Sequence, residues 1–441
     1  MDGAEEPKML LIMSQATSNV TPSGKADPGK TWRVPYYVRG LALGVPIYLA
    51  AIHLWTWALY VPDFLVRGGL DFRQSYSAAY MLRTGRGSEL YNYEAQKRYQ
   101  NVLVSQQNIP LPFVEPAYEA VLFEPLSRFS FRAAYFFFLG VNVALLCLCC
   151  GLLKPWLANL HAVYWWLPYI MFVGFLPIAV ALIQGQDAIL LTTGFVVAFV
   201  LLVRDRKFLA GIALGLTIFK FQIVLPVAVL FLVWRQLRFV AGFATSATIA
   251  LGIGFWRAGI VQTKAYFSLL LSLSGLKPPL AGFDSYPISW NGMSCVHGIV
   301  FSFGQGHASH RALTIVSLAL SFAILGWTAF RGSSIKSAAT QLLLACLCGV
   351  LVGHHVNIYD LSILLLPIFV VLNAFLPKEQ SGRRVDRAIA VAAALMFSAS
   401  LVFSFFPSHF SLAAFVEVFF LVAIALAGAE GFNPAHSEAA G

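Results

Sequence analysis

Long apolar stretches alternate with short polar segments along this chain. The apolar runs recur from residue 40 to residue 428, and many approach the roughly 20 residues that a membrane-spanning helix needs. The pattern predicts an all-α polytopic membrane protein with about twelve transmembrane helices. They are predicted at residues 40–61, 133–153, 162–182, 187–203, 207–220, 221–234, 239–256, 312–330, 338–353, 358–376, 388–405 and 411–428.

Positive charge between these helices predicts their orientation. If the N-terminus is cytoplasmic, every short cytoplasmic turn contains Lys or Arg. The short turns on the opposite side, at 183–186, 354–357 and 406–410, contain neither. This asymmetry is the positive-inside pattern, so both termini are expected in the cytoplasm. It also favours two short helices meeting at Lys220, although one kinked span or a re-entrant pair remains an alternative there.

The predicted organisation is a single transmembrane domain with two tails. The domain covers residues 40–428, between a disordered cytoplasmic tail at 1–39 and a cytoplasmic C-terminal tail at 429–441. Two long loops within the domain, 62–132 and 257–311, fall on the extracytoplasmic side. The first span is expected to act as an uncleaved signal anchor.

Composition supports a membrane protein and argues against nucleic acid as a partner. Hydrophobic residues make up 59% of the 441-residue chain and charged residues 11%, whereas about a quarter of a soluble chain is charged. The net charge of +10 comes largely from the turns between apolar runs, so topology accounts for it. The six cysteines lack zinc-finger spacing, and most lie in apolar runs where packing is their expected role.

Polar and ionisable residues concentrate on the predicted extracytoplasmic face. Ionisable groups are energetically unfavourable near a bilayer, so several on one face indicate a site at the outer leaflet. They are Asp71, the Gln184-Gly185-Gln186-Asp187 turn, Lys220, Asp284, Asn291 and the His354-His355 pair.

Each of the two most prominent charged candidates has a structural and a functional interpretation. Asp71 precedes "FRQSYSAAYML" and fits the N-cap of a helix, but a carboxylate at that position can also act as a general base. Lys220 has no acidic residue near it in the sequence. It can extend its amine to the membrane interface, or it can bind an anionic ligand.

The uncharged candidates also have two interpretations. His354 and His355 are either interfacial histidines or hydrogen-bond donors to a phosphate, and adjacent histidines are a poor zinc pattern. Gln186 or an N-cap at Asp187 closes the turn that precedes the helix, or Gln186 contacts a sugar hydroxyl. Trp290 is either an interface anchor or part of a stacking surface for sugar or isoprenoid.

No soluble-enzyme motif is present. The chain lacks a Walker A loop, a dinucleotide fingerprint, GxSxG and HExxH, and it has no soluble domain large enough for a nucleotide sugar. The donor of an enzyme would therefore arrive through the bilayer. A transporter or flippase for a lipid-linked or anionic solute is the main alternative, and a non-catalytic scaffold is another. Transporters often show internal repeats, and none is visible here, so an enzyme is favoured.

Four motifs in order carry a resemblance to a known family. The stretches "DFRQSYSAAYMLRTGRGSELYNYEA", "GQDAILL", "TIFKFQIVLP" and "GHHVNIYDLSILLLP" lie between residues 71 and 367. Together they resemble the polyprenol-phosphate-mannose-dependent α-mannosyltransferases of the GT-C superfamily. The resemblance implies a multi-span GT-C fold and a polyprenyl-phosphate hexose donor, with mannose as the expected sugar. It also implies Asp71 as the general base and His354 or His355 at the donor phosphate.

The expected enzyme is an inverting glycosyltransferase of a bacterial inner membrane with an extracytoplasmic active site. Its acceptor is a lipid-linked or other extracytoplasmic molecule. Lys220 is expected to join the histidines at the phosphate, so no divalent metal is predicted. The residues predicted to contact sugar or acceptor are Arg73, Tyr76, Gln186, Asp284, Trp290 and Asn291.

Two segments depart from the family pattern. The sequence has "FVEPAYEAVLFEPL", with Glu115 and Glu119, where relatives have a Tyr-Pro-Pro element, and "WNGMS" where an Asn-Gln-Ser element is common. Both departures lie where an acceptor would bind, so they bear on acceptor identity.

Overall fold

The computed structural model describes residues 36–68, 70–105, 111–273, 290–375, 384–405 and 407–429. Within these ranges the regular secondary structure is helical, apart from one isolated antiparallel bridge between Met293 and Asn357. The all-α class predicted from the sequence is therefore confirmed for the described residues. Residues 36–39, which the sequence assigned to a disordered tail, instead begin the first helix.

The α-helices are numbered here in chain order. They are α1 Tyr36–Arg67, α2 Phe72–Arg83, α3 Tyr93–Leu103, α4 Ala117–Phe123, α5 Phe131–Leu153, α6 Ala158–Val163, α7 Leu167–Gly174, α8 Leu176–Gln184, α9 Ala188–Val203, α10 Lys207–Gly215, α11 Phe221–Val233, α12 Leu237–Leu273, α13 Val296–Gly304, α14 His310–Gly332, α15 Ala338–Val352, α16 Leu365–Phe375, α17 Arg384–Phe405 and α18 Ala413–Ala429. Short 3-10 turns connect several of them, including Ile218–Lys220, Trp290–Gly292, Ile358–Leu364 and Pro407–Leu412.

The helices are those of a polytopic membrane protein, but the count of twelve spans is not confirmed. Five stretches among the described residues are long and apolar enough to cross a membrane, and two bent helix pairs would raise the number to seven. The five stretches are Leu43–Arg83, Phe131–Val163, Leu237–Leu273, His310–Gly332 and His409–Gly428. The remaining predicted spans contain apolar helices of 10–17 residues, so they need tilt or burial within the protein to contribute to a crossing.

Two predicted spans correspond to sharply bent helix pairs. The predicted span at 162–182 is divided into α7 and α8, which meet at 62°. Pro177 lies in the first turn of α8, where its missing amide is tolerated, but it cannot continue a preceding helix. The pair predicted around Lys220 is α10 and α11, which meet at 72°. The break at Lys220 is therefore confirmed.

Both long predicted loops contain helices. Residues 62–132 include the end of α1 and the whole of α2, α3 and α4, and α12 extends through a kink at Gly259 well into the second predicted loop. Contacts then fix the first loop on α12: the Tyr91 amide donates to Gln262 Oε1 at 3.0 Å, and Arg257 pairs with Glu124 at 2.9 Å. The first loop is thus a packed layer against α12.

Close helix packing holds the bend that carries Lys220. A Cβ atom added at Gly211 on α10 would lie 1.9 Å from the Phe239 carbonyl oxygen, and one at Gly242 on α12 would lie 2.0 Å from the Phe208 oxygen. Small residues at such contacts let membrane helices approach closely and gain van der Waals packing. The tight α10–α12 contact therefore fixes the position of the turn Ile218–Lys220.

Candidate active site

One cavity brings together the principal candidates from the sequence. Asp71, Lys220, His354 and His355 all line a cavity of about 450 Å³, although they lie far apart along the chain. The rest of the lining combines polar side chains, among them Glu115, Tyr359 and Asp360, with apolar ones, among them Phe221, Leu270 and Met293. A cavity of this size with a few polar groups is typical of a small-molecule or cofactor site.

Asp71 occupies the N-cap position of α2 but makes no capping bond. Its backbone is helical (φ −62°, ψ −27°) and its side chain accepts nothing from the first turn of the helix. The carboxylate oxygen Oδ2 instead accepts a hydrogen bond from Gln186 Nε2 at 2.8 Å, and the Asp71 amide donates to Gln184 Oε1 at 3.1 Å. The predicted capping bond is therefore wrong, and two glutamines hold this residue at the cavity wall.

The turn between α8 and α9 positions Gln184 and Gln186 against Asp71. Gly185 lies between them with φ +65°, a conformation that favours glycine. A Cβ atom there would also lie 2.9 Å from the Phe72 Cβ. Tyr135 fixes the end of α8 by donating from its hydroxyl to the Ile183 oxygen at 2.9 Å. The Gln186 amide nitrogen is thus committed to Asp71, and its predicted sugar contact stays a prediction.

Lys220 is buried among acids and does not extend to the interface. Its Nζ lies 2.9 Å from Glu115 Oε1, 3.2 Å from Asp187 Oδ1 and 3.8 Å from Asp360 Oδ1, and its side chain is 3% exposed. The interpretation as an interfacial lysine is therefore wrong. These partners are remote in sequence or on other elements, which is why Lys220 looked isolated.

The acids around Lys220 come from three different elements. Asp187 begins α9 without a capping bond, so the expectation that it caps the turn is also wrong. Asp360 accepts from the Asn357 amide at 2.9 Å through Oδ2, which leaves Oδ1 towards Lys220. Burial raises the pKa of the Glu115 carboxyl; the positive charge of Lys220 opposes this shift and the carboxylate of Asp187 adds to it. The lysine charge is therefore largely balanced within the protein.

The two histidines lie at the cavity as neutral imidazoles. Burial lowers the pKa of His354 to about 4, with a further contribution from His310, and it lowers the pKa of His355 to about 3, with a further contribution from His354. The ring of Trp290 stacks on His355 with centroids 6.1 Å apart and planes inclined by 22°. An uncharged imidazole can donate one hydrogen bond; His355 already bonds to the Leu273 backbone, and the donor of His354 suits an anionic ligand.

Three other predicted contact residues, Arg73, Tyr76 and Asn291, are not among the residues that line the cavity. Tyr76 donates from its hydroxyl to the Phe129 oxygen at 2.7 Å within an aromatic cluster, and Arg73 is buried beside it on α2. Asn291 is exposed next to the lining residue Gly292. Asp284 lies outside the described residues.

Several residues at the cavity were not assigned a role from the sequence. Asp360 and Tyr359 follow the histidine pair, and Glu115 was noted only as a departure from the family pattern. A charged residue inside an apolar run, as in "NIYDLSILLLP", is the signal that marks Asp360. Behind the cavity, His297 contacts His354 with ring centroids 3.9 Å apart. No group of three or more His, Cys, Asp or Glu side chains in the described part of the chain is arranged to hold a metal ion.

Comparison with known proteins assigns the family. The profile of glycosyltransferase family 87 matches residues 113–354, more than half of the chain. The match includes Glu115, Lys220 and His354, and Asp71 precedes it. Neither a curated protein nor a solved structure matches the chain. The match favours an enzyme over a transporter, and the chain belongs to glycosyltransferase family 87.

Proposed function

We propose that this protein is an inverting membrane glycosyltransferase that moves a hexose, with mannose the expected sugar, from a polyprenyl-phosphate donor to an extracytoplasmic acceptor. The observation that carries the proposal is the shared cavity, in which Asp71 lies with His354 and His355. Transfer of this kind needs a base near the acceptor hydroxyl and hydrogen-bond donors near the leaving phosphate. This cavity contains both kinds of group.

Asp71 is the proposed general base. Its Oδ2 atom is held by Gln186, and the residue lines the cavity, so the other carboxylate oxygen is available to the acceptor hydroxyl. The acceptor oxygen attacks the anomeric carbon as its proton passes to Asp71. The bond from the anomeric carbon to the phosphate oxygen breaks, and its electron pair leaves with the phosphate. A single displacement inverts the anomeric centre.

The donor class follows from the mixed lining of the cavity. His354 supplies an N–H donor for the phosphate with His355 beside it, and Phe221, Leu270 and Leu273 supply apolar surface for the first isoprene units. Lys220 is proposed to add positive charge at the phosphate if ligand binding loosens its ion pairs. The positive-inside pattern supports an extracytoplasmic position for the cavity in a bacterial inner membrane, where a lipid-linked donor is accessible.

The acceptor is proposed to enter beside the departures from the family pattern. Glu115 and Tyr359 line the cavity close to Lys220, and a carboxylate with a phenol can hydrogen-bond the hydroxyls of a sugar. Trp290, which stacks on His355, extends the aromatic surface next to the cavity. These contacts support a glycolipid or another polyol acceptor.

The test is transfer from polyprenyl-phosphate mannose by the purified full-length protein with a mixed glycolipid acceptor pool. Asp71→Asn should reduce turnover by at least about a hundredfold, the lower range for loss of a general base. Asp63→Asn is the matched control, because Asp63 forms only an exposed ion pair with Arg67. Equal turnover in both variants would remove Asp71 from the mechanism. Transfer from a nucleotide sugar, with none from any polyprenyl-phosphate hexose, would refute the donor class.

A further inference from the structure

A third histidine lies directly behind the two that line the cavity. His297 on α13 is buried, and its ring centroid is 3.9 Å from that of His354 and 5.9 Å from that of His355. The rings of His354 and His355 are themselves 4.7 Å apart. These three side chains are called the imidazole cluster below.

Hydrogen bonding determines which nitrogen of His297 carries the proton. Its Nδ1 atom lies 3.0 Å from Ser317 Oγ, and that hydroxyl donates its single hydrogen to the Thr314 carbonyl oxygen at 2.9 Å. The serine oxygen must therefore accept from His297, so Nδ1 carries the hydrogen. In the neutral ring Nε2 then holds a lone pair, and this buried atom has no hydrogen-bond partner among the described residues. His297 is thus arranged to gain a proton at Nε2.

All three imidazoles of the cluster have a ring nitrogen without a hydrogen-bond partner in the described part of the chain, and burial disfavours their protonation. The Nε2 atoms of His354 and His355 are also buried without a partner in the described part of the chain. Burial, and after it the neighbouring imidazoles, lower the pKa of His297 to about 2, because two adjacent imidazolium ions repel each other. The empty cluster is therefore uncharged near neutral pH, and an anion in the cavity would favour its protonation.

We propose that the imidazole cluster takes up one proton from solvent when a phosphate monoester dianion occupies the cavity, with His297 as the positioning residue behind the two cavity histidines. The proposal rests on the polyprenyl-phosphate donor class above. It concerns the extra negative charge that sugar transfer leaves on the phosphate. The transfer step proposed above adds no positive charge to balance it.

Each transfer adds one negative charge to the phosphate. The donor is a phosphodiester with one negative charge, and the leaving polyprenyl phosphate is a monoester with two near neutral pH. The acceptor proton goes to Asp71, so the additional charge on the phosphate has no partner from that step. One solvent proton on the cluster balances it, and loss of that proton accompanies product release.

Other ionisable groups near the cluster do not replace it in this role. α15, which packs behind it, contributes no charged side chain. The ionisable groups on the neighbouring elements and across the cavity are His310 and the exposed Arg311 at the start of α14, Arg331 at its far end, the exposed His409, Glu417 on α18, and Asp71, Glu115, Lys220, Tyr359 and Asp360. The carboxylates among them favour a positive cluster, but Lys220 already balances those nearest to it.

The experiment measures proton uptake by titration calorimetry in two buffers of different ionisation enthalpy. The full-length protein in lipid nanodiscs is titrated with farnesyl monophosphate, its methyl diester and farnesol at about pH 7.5, above the second phosphate pKa of about 6. We expect uptake of about one proton with the monophosphate and close to none with the diester. The affinity for the monophosphate alone should therefore weaken as the pH rises. The phosphorus NMR shift of the bound monophosphate should remain that of a dianion.

The variant that isolates His297 is His297→Asn. Its amide nitrogen lies near the position of Nδ1 and keeps the donor to Ser317, but it cannot be protonated. We expect it to weaken monophosphate binding at about pH 7.5 by about tenfold, the factor expected when the pKa of the ligand-bound cluster lies about one unit above that pH, and to leave diester binding unchanged. His161→Asn, a substitution at a half-buried histidine on α6, should change neither.

The outcomes separate this inference from the proposed function. Equal uptake with monophosphate and diester, a bound monoanionic ligand, or unchanged uptake in His297→Asn would overturn the cluster proposal while the donor class stands. If neither farnesyl monophosphate nor its methyl diester binds more tightly than farnesol, both the cluster proposal and the polyprenyl-phosphate donor class are overturned.

Discussion

Gln186 offers the sharpest test of Asp71 as a base, because its amide touches the proposed catalytic carboxylate. The Nε2 atom donates to Asp71 Oδ2 at 2.8 Å, and Gln186 is buried. A hydrogen bond to a charged group contributes about 1.5–3 kcal/mol. It is made to the ionised form, so removing it by Gln186→Leu makes Asp71 easier to protonate. Since one pKa unit corresponds to about 1.36 kcal/mol, the shift should be about 1–2 pH units.

The assay is the pH dependence of transfer. The acidic limb of kcat/KM reports the ionisation of the base in the free enzyme. With Gln186→Leu this limb should move to higher pH by the amount above, and activity should be lost as the pH falls through the new position. Well above the limb, where Asp71 is ionised in both proteins, the difference should become small.

Gln184→Leu is the matched control. Gln184 belongs to the same turn, but it accepts from the Asp71 backbone amide and does not contact the carboxylate. Its loss should lower activity without moving the acidic limb. Identical pH profiles for Gln186→Leu and wild type would refute the assignment of the limb to Asp71. An equal shift in both variants would show that displacement of the turn, rather than the hydrogen bond, is responsible.

Three further outcomes are expected. Gly185→Ala should lower stability by about 1–3 kcal/mol because of its positive φ and the contact with Phe72; the unfolding temperature should fall, whereas Gly140→Ala, with open space around it, should not lower it. Lys220→Met should destabilise the protein by about 3–5 kcal/mol because it leaves buried carboxylates without their cation. Adding Glu115→Gln should recover part of that loss in thermal unfolding, and no recovery would contradict the ion-pair account. EDTA should leave transfer unchanged; loss of activity that magnesium, manganese or calcium restores would contradict a metal-independent mechanism.

Local features of the sequence were sufficient for the all-α membrane class and for four residues that meet at one cavity. Apolar runs specify membrane helices because, in a bilayer, each backbone N–H and C=O group must form its hydrogen bond within the protein, and a helix achieves this within one segment. Charge in the turns predicts an orientation with both termini in the cytoplasm. Asp71, Lys220 and the His354-His355 pair were identified because ionisable groups near apolar segments are energetically unfavourable unless they have a role. All four line one cavity.

The apolar runs did not determine the number of membrane spans. A run of apolar residues predicts a helix but does not determine whether it crosses the membrane straight. The 62° bend between α7 and α8 and the length of α12 depend on packing against other helices. For the same reason the predicted loop at 62–132 proved to be a set of packed helices.

The sequence by itself determined that this protein is a helical membrane protein with a polar site, because hydrophobicity and charge are properties of short segments. Only the tertiary structure decided what each polar residue contacts. Lys220 meets Glu115 across 105 positions, and Gln186 meets Asp71 across 115. Such contacts depend on how distant helices pack, and no local pattern records them. The same folding placed the neutral imidazole of His297 behind the cavity, where no motif had marked it.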